Sequence, residues 1–97
     1  MRTTKDMDFI YTLDGKEISI ELTQKSIRKE VIQQYVECRK SKKMTQDELS
    51  KRAGVSRPNI SRFESGNYNP SLEMMVRLAA ALDMSVNLKL VSNGKNK

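Results

Sequence analysis

Residues 45–66, TQDELSKRAGVSRPNISRFESG, constrain the fold more than any other stretch of the chain. Thr45 followed three residues later by Glu48 reads as a capping box, in which each side chain satisfies a backbone N–H of the other's region. Leu49 and Ala53 lie one turn apart and give the first helix a short apolar face, and Gly54 is suited to end it. Ser56 then reads as the N-cap of a second helix. Pro58 falls in its first turn, where a missing N–H costs no helical bond, and Gly66 is placed to close it. Two short helices therefore follow each other across AGVS, with Gly54 in the turn. The second is polar and holds few large apolar residues, so most of its surface must face something other than the core.

The rest of the chain is organised around that pair. FIYTLDGKEISIEL has Asp14-Gly15 at its centre, a dipeptide preferred in two-residue hairpin turns. Such a turn pairs Leu13 with Lys16, Tyr11 with Ile18 and Phe9 with Ile20, and sets Phe9, Tyr11, Leu13, Ile18 and Ile20 on one face. A helix is expected from about Ser26 to Lys40, with Ile32, Val36 and Arg39 on one face and Val31 and Tyr35 beside it. PSLEMMVRLAAAL predicts another helix capped by Ser71, with Glu73 in its first turn and a buried stripe of Leu72, Met75, Val76, Ala79 and Leu82. SVNLKLV alternates and reads as a half-buried strand, with Val86, Leu88 and Leu90 on one side. SNGKNK is a polar tail.

At 97 residues, 37% hydrophobic and 5% aromatic, the chain makes one small domain with a thin core. Such a core gains from a second subunit. The net charge of +6 is uneven. Residues 27–66 carry ten Lys or Arg against five Asp or Glu, whereas residues 1–26 carry four against five. The basic excess thus coincides with the helix pair and favours an anionic partner. A single cysteine, Cys38, excludes an intrachain disulfide and fits a reducing compartment. Without histidine there is no His-based acid–base chemistry and no His-containing metal site. No apolar run approaches a membrane span of about 20 residues, and the N-terminus lacks the apolar core of a signal peptide. A cytoplasmic, non-enzymatic protein is expected, with no catalytic residue, metal or cofactor.

Two capped helices with a glycine-containing turn form the helix-turn-helix pattern, whose second helix lies in the major groove of DNA. The run T-Q-x-E-L, A-G-V-S, I-S-x-F-E-S-G, P-S-L and L-A-x-A-L resembles the XRE family of lambda-Cro-like repressor domains, from about Val31 to Leu82. A helical wheel reaches the same surface independently. With Ile60 as the buried direction, Phe63, Glu64 and Ser56 lie on the inner side, and Pro58, Ser61, Arg62 and Ser65 face out. Arg57 and Asn59 flank them. Arg57, Pro58, Asn59, Ser61 and Arg62 are the candidate base readers, and a bidentate Arg62–guanine pair suits a guanidinium in that place. The resemblance implies that Gln46 and Ser56 contact phosphates from helix N-termini, which the free N–H groups and helix dipole favour. Lys43, Ser65 and Asn67 are added as phosphate candidates; Lys42, Tyr68 and Asn69 flank the same surface. Arg39 and Glu64 match positions that form an internal ion pair in phage repressors, and both adjoin apolar positions here.

The chain also departs from the family. Many such repressors pair through a fifth helix; here SVNLKLV stands in that place, and a hairpin precedes the first helix. A lone strand leaves backbone groups unpaired. It would pair with the protein's own hairpin or with a second copy. The substitution of strand for helix resembles antitoxins of the HigA and HipB sort. The expected architecture is a mainly α, lambda-repressor-like bundle of about four helices. Residues 1–25 form a hairpin extension, 26–83 the DNA-binding domain, and 84–97 a strand and tail. The expected function is site-specific double-stranded DNA binding as a homodimer, joined through Val86, Leu88 and Leu90. The alternative is an antitoxin that neutralises a toxin protein and represses its own operon.

Overall fold

The computed structural model describes residues 8–92. A two-stranded antiparallel sheet, β1 (Phe9–Tyr11) and β2 (Glu17–Ser19), leads directly into a long helix, α1 (Ile20–Ser41). Three short helices follow: α2 (Gln46–Ala53), α3 (Arg57–Ser65) and α4 (Leu72–Ala81). The mainly α bundle of four helices with an N-terminal hairpin is the expected architecture. Among the described residues no helix is long and apolar enough to cross a membrane.

The local chemistry explains the helix boundaries. Thr45 and Glu48 form the capping box, with the Thr45 hydroxyl oxygen accepting from the Glu48 N–H at 3.0 Å and the Glu48 carboxylate accepting from the Thr45 N–H at 2.8 Å. Ser56 and Ser71 cap α3 and α4 in the same way, accepting from Asn59 and Met74. Gly54 and Gly66 sit at φ +69° and +77°, a conformation that glycine adopts without strain. Helix α1 ends differently. Lys43 takes the left-handed position at φ +54°, and the Met44 N–H donates back to the Arg39 carbonyl at 3.1 Å. That Schellman closure is normally built on glycine.

The core lies between α1 and the three short helices. Phe63, Leu49, Ile60, Leu78 and Leu82 are its fully buried members, joined by Ile32, Ala53, Val55 and Ala79. Tyr35 packs edge-on against Phe63, with ring centroids 5.0 Å apart and planes at 77°. Leu72 and Val76, expected in the α4 stripe, are about half exposed; Leu78, which was not expected there, is fully buried. LEMMVRLAAAL is apolar around most of its circumference, so periodicity alone cannot choose among its faces. Packing selects the side centred on Leu78 and Leu82.

Three further expectations are corrected. The hairpin pairs Phe9 with Ser19, Ile10 with Ile18 and Tyr11 with Glu17, one residue out of the expected register. The Thr12 N–H donates to the Lys16 carbonyl at 2.9 Å, and the Gly15 N–H to the Thr12 carbonyl at 2.9 Å, closing a three-residue loop. Gly15, at φ +88°, is then the one loop residue in the left-handed region; a two-residue turn would put Asp14 there too. The slip moves Phe9 and Tyr11 to the face of Glu17 and Ser19, away from Ile10 and Ile18.

Helix α1 begins at Ile20, not near Ser26. Ser19 is its cap, and Asp8 reaches across from the hairpin. The Ile20 N–H donates to the Asp8 carbonyl at 2.7 Å, and the Asp8 carboxylate accepts from the Glu21 N–H and the Ser19 hydroxyl, both at 3.1 Å. These bonds satisfy the free N–H groups of the first turn and draw the helix back to the hairpin.

The expected C-terminal strand is absent over 84–92, and the sheet among the described residues contains β1 and β2 alone. Among the described residues SVNLKLV pairs with neither strand of the hairpin, so its backbone has no ladder there to join. It passes beside α1 and α4, where Met84–Leu88 line an apolar groove of about 330 Å³ with Tyr35, Cys38 and Met75. Most of the polar tail falls outside the described residues.

Candidate nucleic-acid interface

Helix α3 is held firmly on its inner side and left open on the other. Ile60 and Phe63 are buried, whereas Arg57, Pro58, Ser61, Arg62 and Ser65 are exposed and Asn59 is half-buried. The wheel centred on Ile60 therefore describes the observed orientation of Ile60, Phe63 and Glu64, whereas Ser56, placed on the inner side, is exposed at the helix cap. Arg62 is held in place on the outer side. Its guanidinium lies 5.1 Å from the centroid of the Tyr68 ring, and its Nη2 donates to Asn59 Oδ1 at 3.4 Å. A cation over an aromatic face gains electrostatically and loses side-chain freedom before any partner arrives.

The inner anchorage is an ion pair shared by three helices. Arg39 Nε and Nη2 donate to the two Glu64 carboxylate oxygens at 2.7 and 3.1 Å. Arg39 Nη1 donates to the Met44 carbonyl at 2.7 Å, and Gln46 Nε2 donates to Glu64 Oε1 at 2.9 Å. The expected Arg39–Glu64 pair is present, with both side chains about nine-tenths buried. Its bidentate form and added hydrogen bonds offset the desolvation of two charges. Because Gln46 is the first residue of α2, the same carboxylate fixes where α2 begins relative to α3.

A second arginine performs a similar task and was missed in the sequence. Arg28 Nε donates to the Gly66 carbonyl at 3.0 Å, and Arg28 Nη1 donates to Asn69 Oδ1. It satisfies a carbonyl just past the end of α3 and steadies the loop carrying Asn67 and Tyr68. The signal was available: Arg28, Ile32 and Arg39 follow helical spacing, so an arginine stands at each end of the buried α1 stripe. Tyr35 lies between them and donates from its hydroxyl to the Met75 carbonyl at 2.8 Å. Burial pushes its pKa above the usual tyrosine value, and the phenol remains a neutral donor.

The phosphate candidates divide by how free they are. Ser56 caps α3 by accepting a bond, which leaves its hydroxyl proton available. Lys43 and Asn67 are exposed. Ser65 is less available, since its hydroxyl donates to the Arg62 carbonyl at 2.7 Å. Lys51 and Arg52 share a shallow depression with Lys42 and Lys43. Val86 is half-buried in the groove beside α1, while Leu88 and Leu90 are exposed.

A family described as Helix-turn-helix matches residues 37–88, the stretch that holds α2, the turn and α3. The chain belongs to this helix-turn-helix family, of the XRE type. An uncharacterised HTH-type transcriptional regulator of Methanothermobacter thermautotrophicus is 48% identical over 46 residues, covering 47% of this chain and 67% of that one. Another, from Sinorhizobium fredii, is 39% identical over 56 residues, 58% of this chain and 29% of its own length. The ImmF control region 10 kDa protein of Bacillus phage phi105 is 36% identical over 50 residues, 52% of this chain and 56% of its own. The chain thus spans less than a third of the Sinorhizobium relative and 52% of a Bacillus subtilis regulator that it also resembles. A solved chain described as a toxin-antitoxin module from Streptococcus pneumoniae superposes with a TM-score of 0.62 at 22% identity, covering 95% of this chain and 96% of that one. The likeness is one of fold. It extends this helix-turn-helix protein's comparison beyond residues 37–88 to nearly the whole chain.

Proposed function

We propose that this helix-turn-helix protein is a transcriptional regulator that binds a specific double-stranded DNA site as a homodimer, with α3 in the major groove. The observation that carries the reading is the anchored but outward-facing α3: Glu64 and Phe63 hold it inside, and Arg57, Pro58, Ser61 and Arg62 are exposed outside. Arg62, already stacked on Tyr68, reads a guanine through its two outer nitrogens. Arg57, Asn59 and Ser61 contribute further base-edge contacts, and Pro58 offers apolar contact to a thymine methyl. Gln46 and Ser56, with Lys43 and Asn67, hold phosphates on either side. Gln46 donates one amide hydrogen to Glu64 and keeps the other for the backbone. Ser65 takes part after rotating away from the Arg62 carbonyl.

The dimer forms through the C-terminal segment. Val86, Leu88 and Leu90 alternate with polar residues, and the segment has no strand partner among the described residues. Pairing with a second copy supplies the missing ladder and covers Leu88 and Leu90. Two copies then present two α3 helices to half-sites about 34–36 Å apart. Selection from random duplex DNA tests both parts. The expected result is a pseudo-palindromic consensus with half-sites one helical turn apart. Enrichment of isolated, unpaired motifs would overturn the dimer geometry, and no enrichment would overturn site-specific binding.

A second reading is that the chain is an antitoxin that also binds a toxin protein. It is favoured by the solved toxin-antitoxin module, whose likeness covers 95% of this chain and so takes in more than the DNA-binding helices.

A further inference from the structure

The hairpin and the first two turns of α1 form an arm that the protein's own core does not cover. Phe9, Tyr11 and Leu13 are exposed by 56%, 64% and 109%, and Ile20 and Ile27 are also exposed along α1. The Cα radius of gyration is 16.3 Å, against about 13 Å for a compact chain of this size. The arm is not a loose end. Asp8 ties hairpin to helix through two hydrogen bonds to α1 and a third to its cap, Ser19, so the surface is held in shape before any partner arrives.

Its charge differs from that of the rest of the chain. Residues 8–26 carry four carboxylates against two lysines, whereas residues 27–66 carry ten cations against five anions. DNA would be repelled by this end. The observed register sets Phe9 and Tyr11 on the same face as Glu17, and Glu21 follows in the first turn of α1. Aromatic rings beside carboxylates suit lysine and arginine side chains, which bind the ring faces and pair with the acids. The outer edges of the β1–β2 ladder are also unpaired among the described residues, open to an added strand.

We infer that the arm formed by β1, β2 and the start of α1 is a docking surface for a protein partner with a lysine- and arginine-rich, partly apolar face. The inference rests on the antitoxin reading, in which that partner is the toxin. DNA and toxin then occupy different ends of the chain.

The test co-expresses the full chain with the product of the reading frame adjoining its gene and compares wild type with the double variant Tyr11→Ser/Glu17→Lys. Both positions are exposed, so the variant should keep the wild-type melting curve. The expected result is a complex with wild type, a loss of affinity of about 100-fold or more in the variant, and unchanged binding to the selected DNA site. Equal binding by wild type and variant would overturn the arm as the surface and leave the antitoxin reading standing. No complex with wild type would overturn both. Conversion of a dimeric chain to a monomer by the double substitution, measured by sedimentation without the partner, would show that the arm serves a second copy and would overturn the inference.

Discussion

The helix pair α2–α3 and the N-terminal arm are built from the same chain by opposite rules. In the pair, apolar groups enter a common core, and buried polar groups such as Arg39 and Glu64 find their partners within the protein. In the arm, the turn and the first turn of α1 are satisfied by hydrogen bonds, yet the large side chains of Phe9, Tyr11 and Leu13 remain in water. Local hydrogen bonding is enough to give the arm a shape but supplies no burial. The difference separates what stabilises the fold from what is left for partners. The pair holds its shape through internal contacts and exposes polar groups; the arm holds its shape through capping and exposes apolar ones.

The largest expected effect breaks the anchored side of that comparison. Glu64→Ala leaves the Arg39 guanidinium buried without its carboxylate and releases Gln46 at the start of α2. The cost should be about 3–5 kcal/mol, seen by circular dichroism as a fall in melting temperature of more than about 10 °C. An unchanged melting temperature would mean that the ion pair does not hold the helices together.

A smaller effect of opposite sign is expected at Lys43, where a side chain occupies a left-handed position at φ +54°. Lys43→Gly should stabilise the fold by about 0.5–1 kcal/mol in denaturant titration. Under the proposed phosphate contact it should also lower the slope of DNA affinity against salt by about one unit. Stability and binding would then move in opposite directions. The smallest effect belongs to the arm. Leu13→Ser should change the unfolding free energy from urea titration by no more than about 0.5 kcal/mol, since that side chain is fully exposed. A larger loss would show that the arm packs on its own protein.

The sequence was most legible where one residue type has one local task. Thr45 with Glu48, Ser56 and Ser71 as caps, and Gly54 and Gly66 as helix ends all stand where side-chain chemistry puts them. The inner face of α3 followed from Ile60 and Phe63, since so few apolar residues leave little choice. Legibility failed where several arrangements satisfy the same pattern. Asp14-Gly15 serves a two-residue turn or, as found, a three-residue loop, and only the bonds of Thr12 decide between them. The start of α1 depends on Asp8, a residue just before β1. Leu78 was hidden in a helix apolar almost all round, and Arg28 acts across 38 residues of sequence on Gly66. Alternation in SVNLKLV describes what the segment is able to pair with, and no partner strand stands beside it among the described residues.

The most direct test of the outward face of α3 is the binding of Arg62→Ala to the selected DNA site and to a scrambled duplex of equal length, by fluorescence anisotropy at one salt concentration. The substitution removes the guanidinium stacked on Tyr68 and leaves the buried face of α3 intact. Affinity for the selected site should fall by about 1–3 kcal/mol, with preference relaxed at one base pair. Affinity for the scrambled duplex should hardly change. An equal loss on both duplexes would contradict base reading by Arg62 and reduce it to a backbone contact.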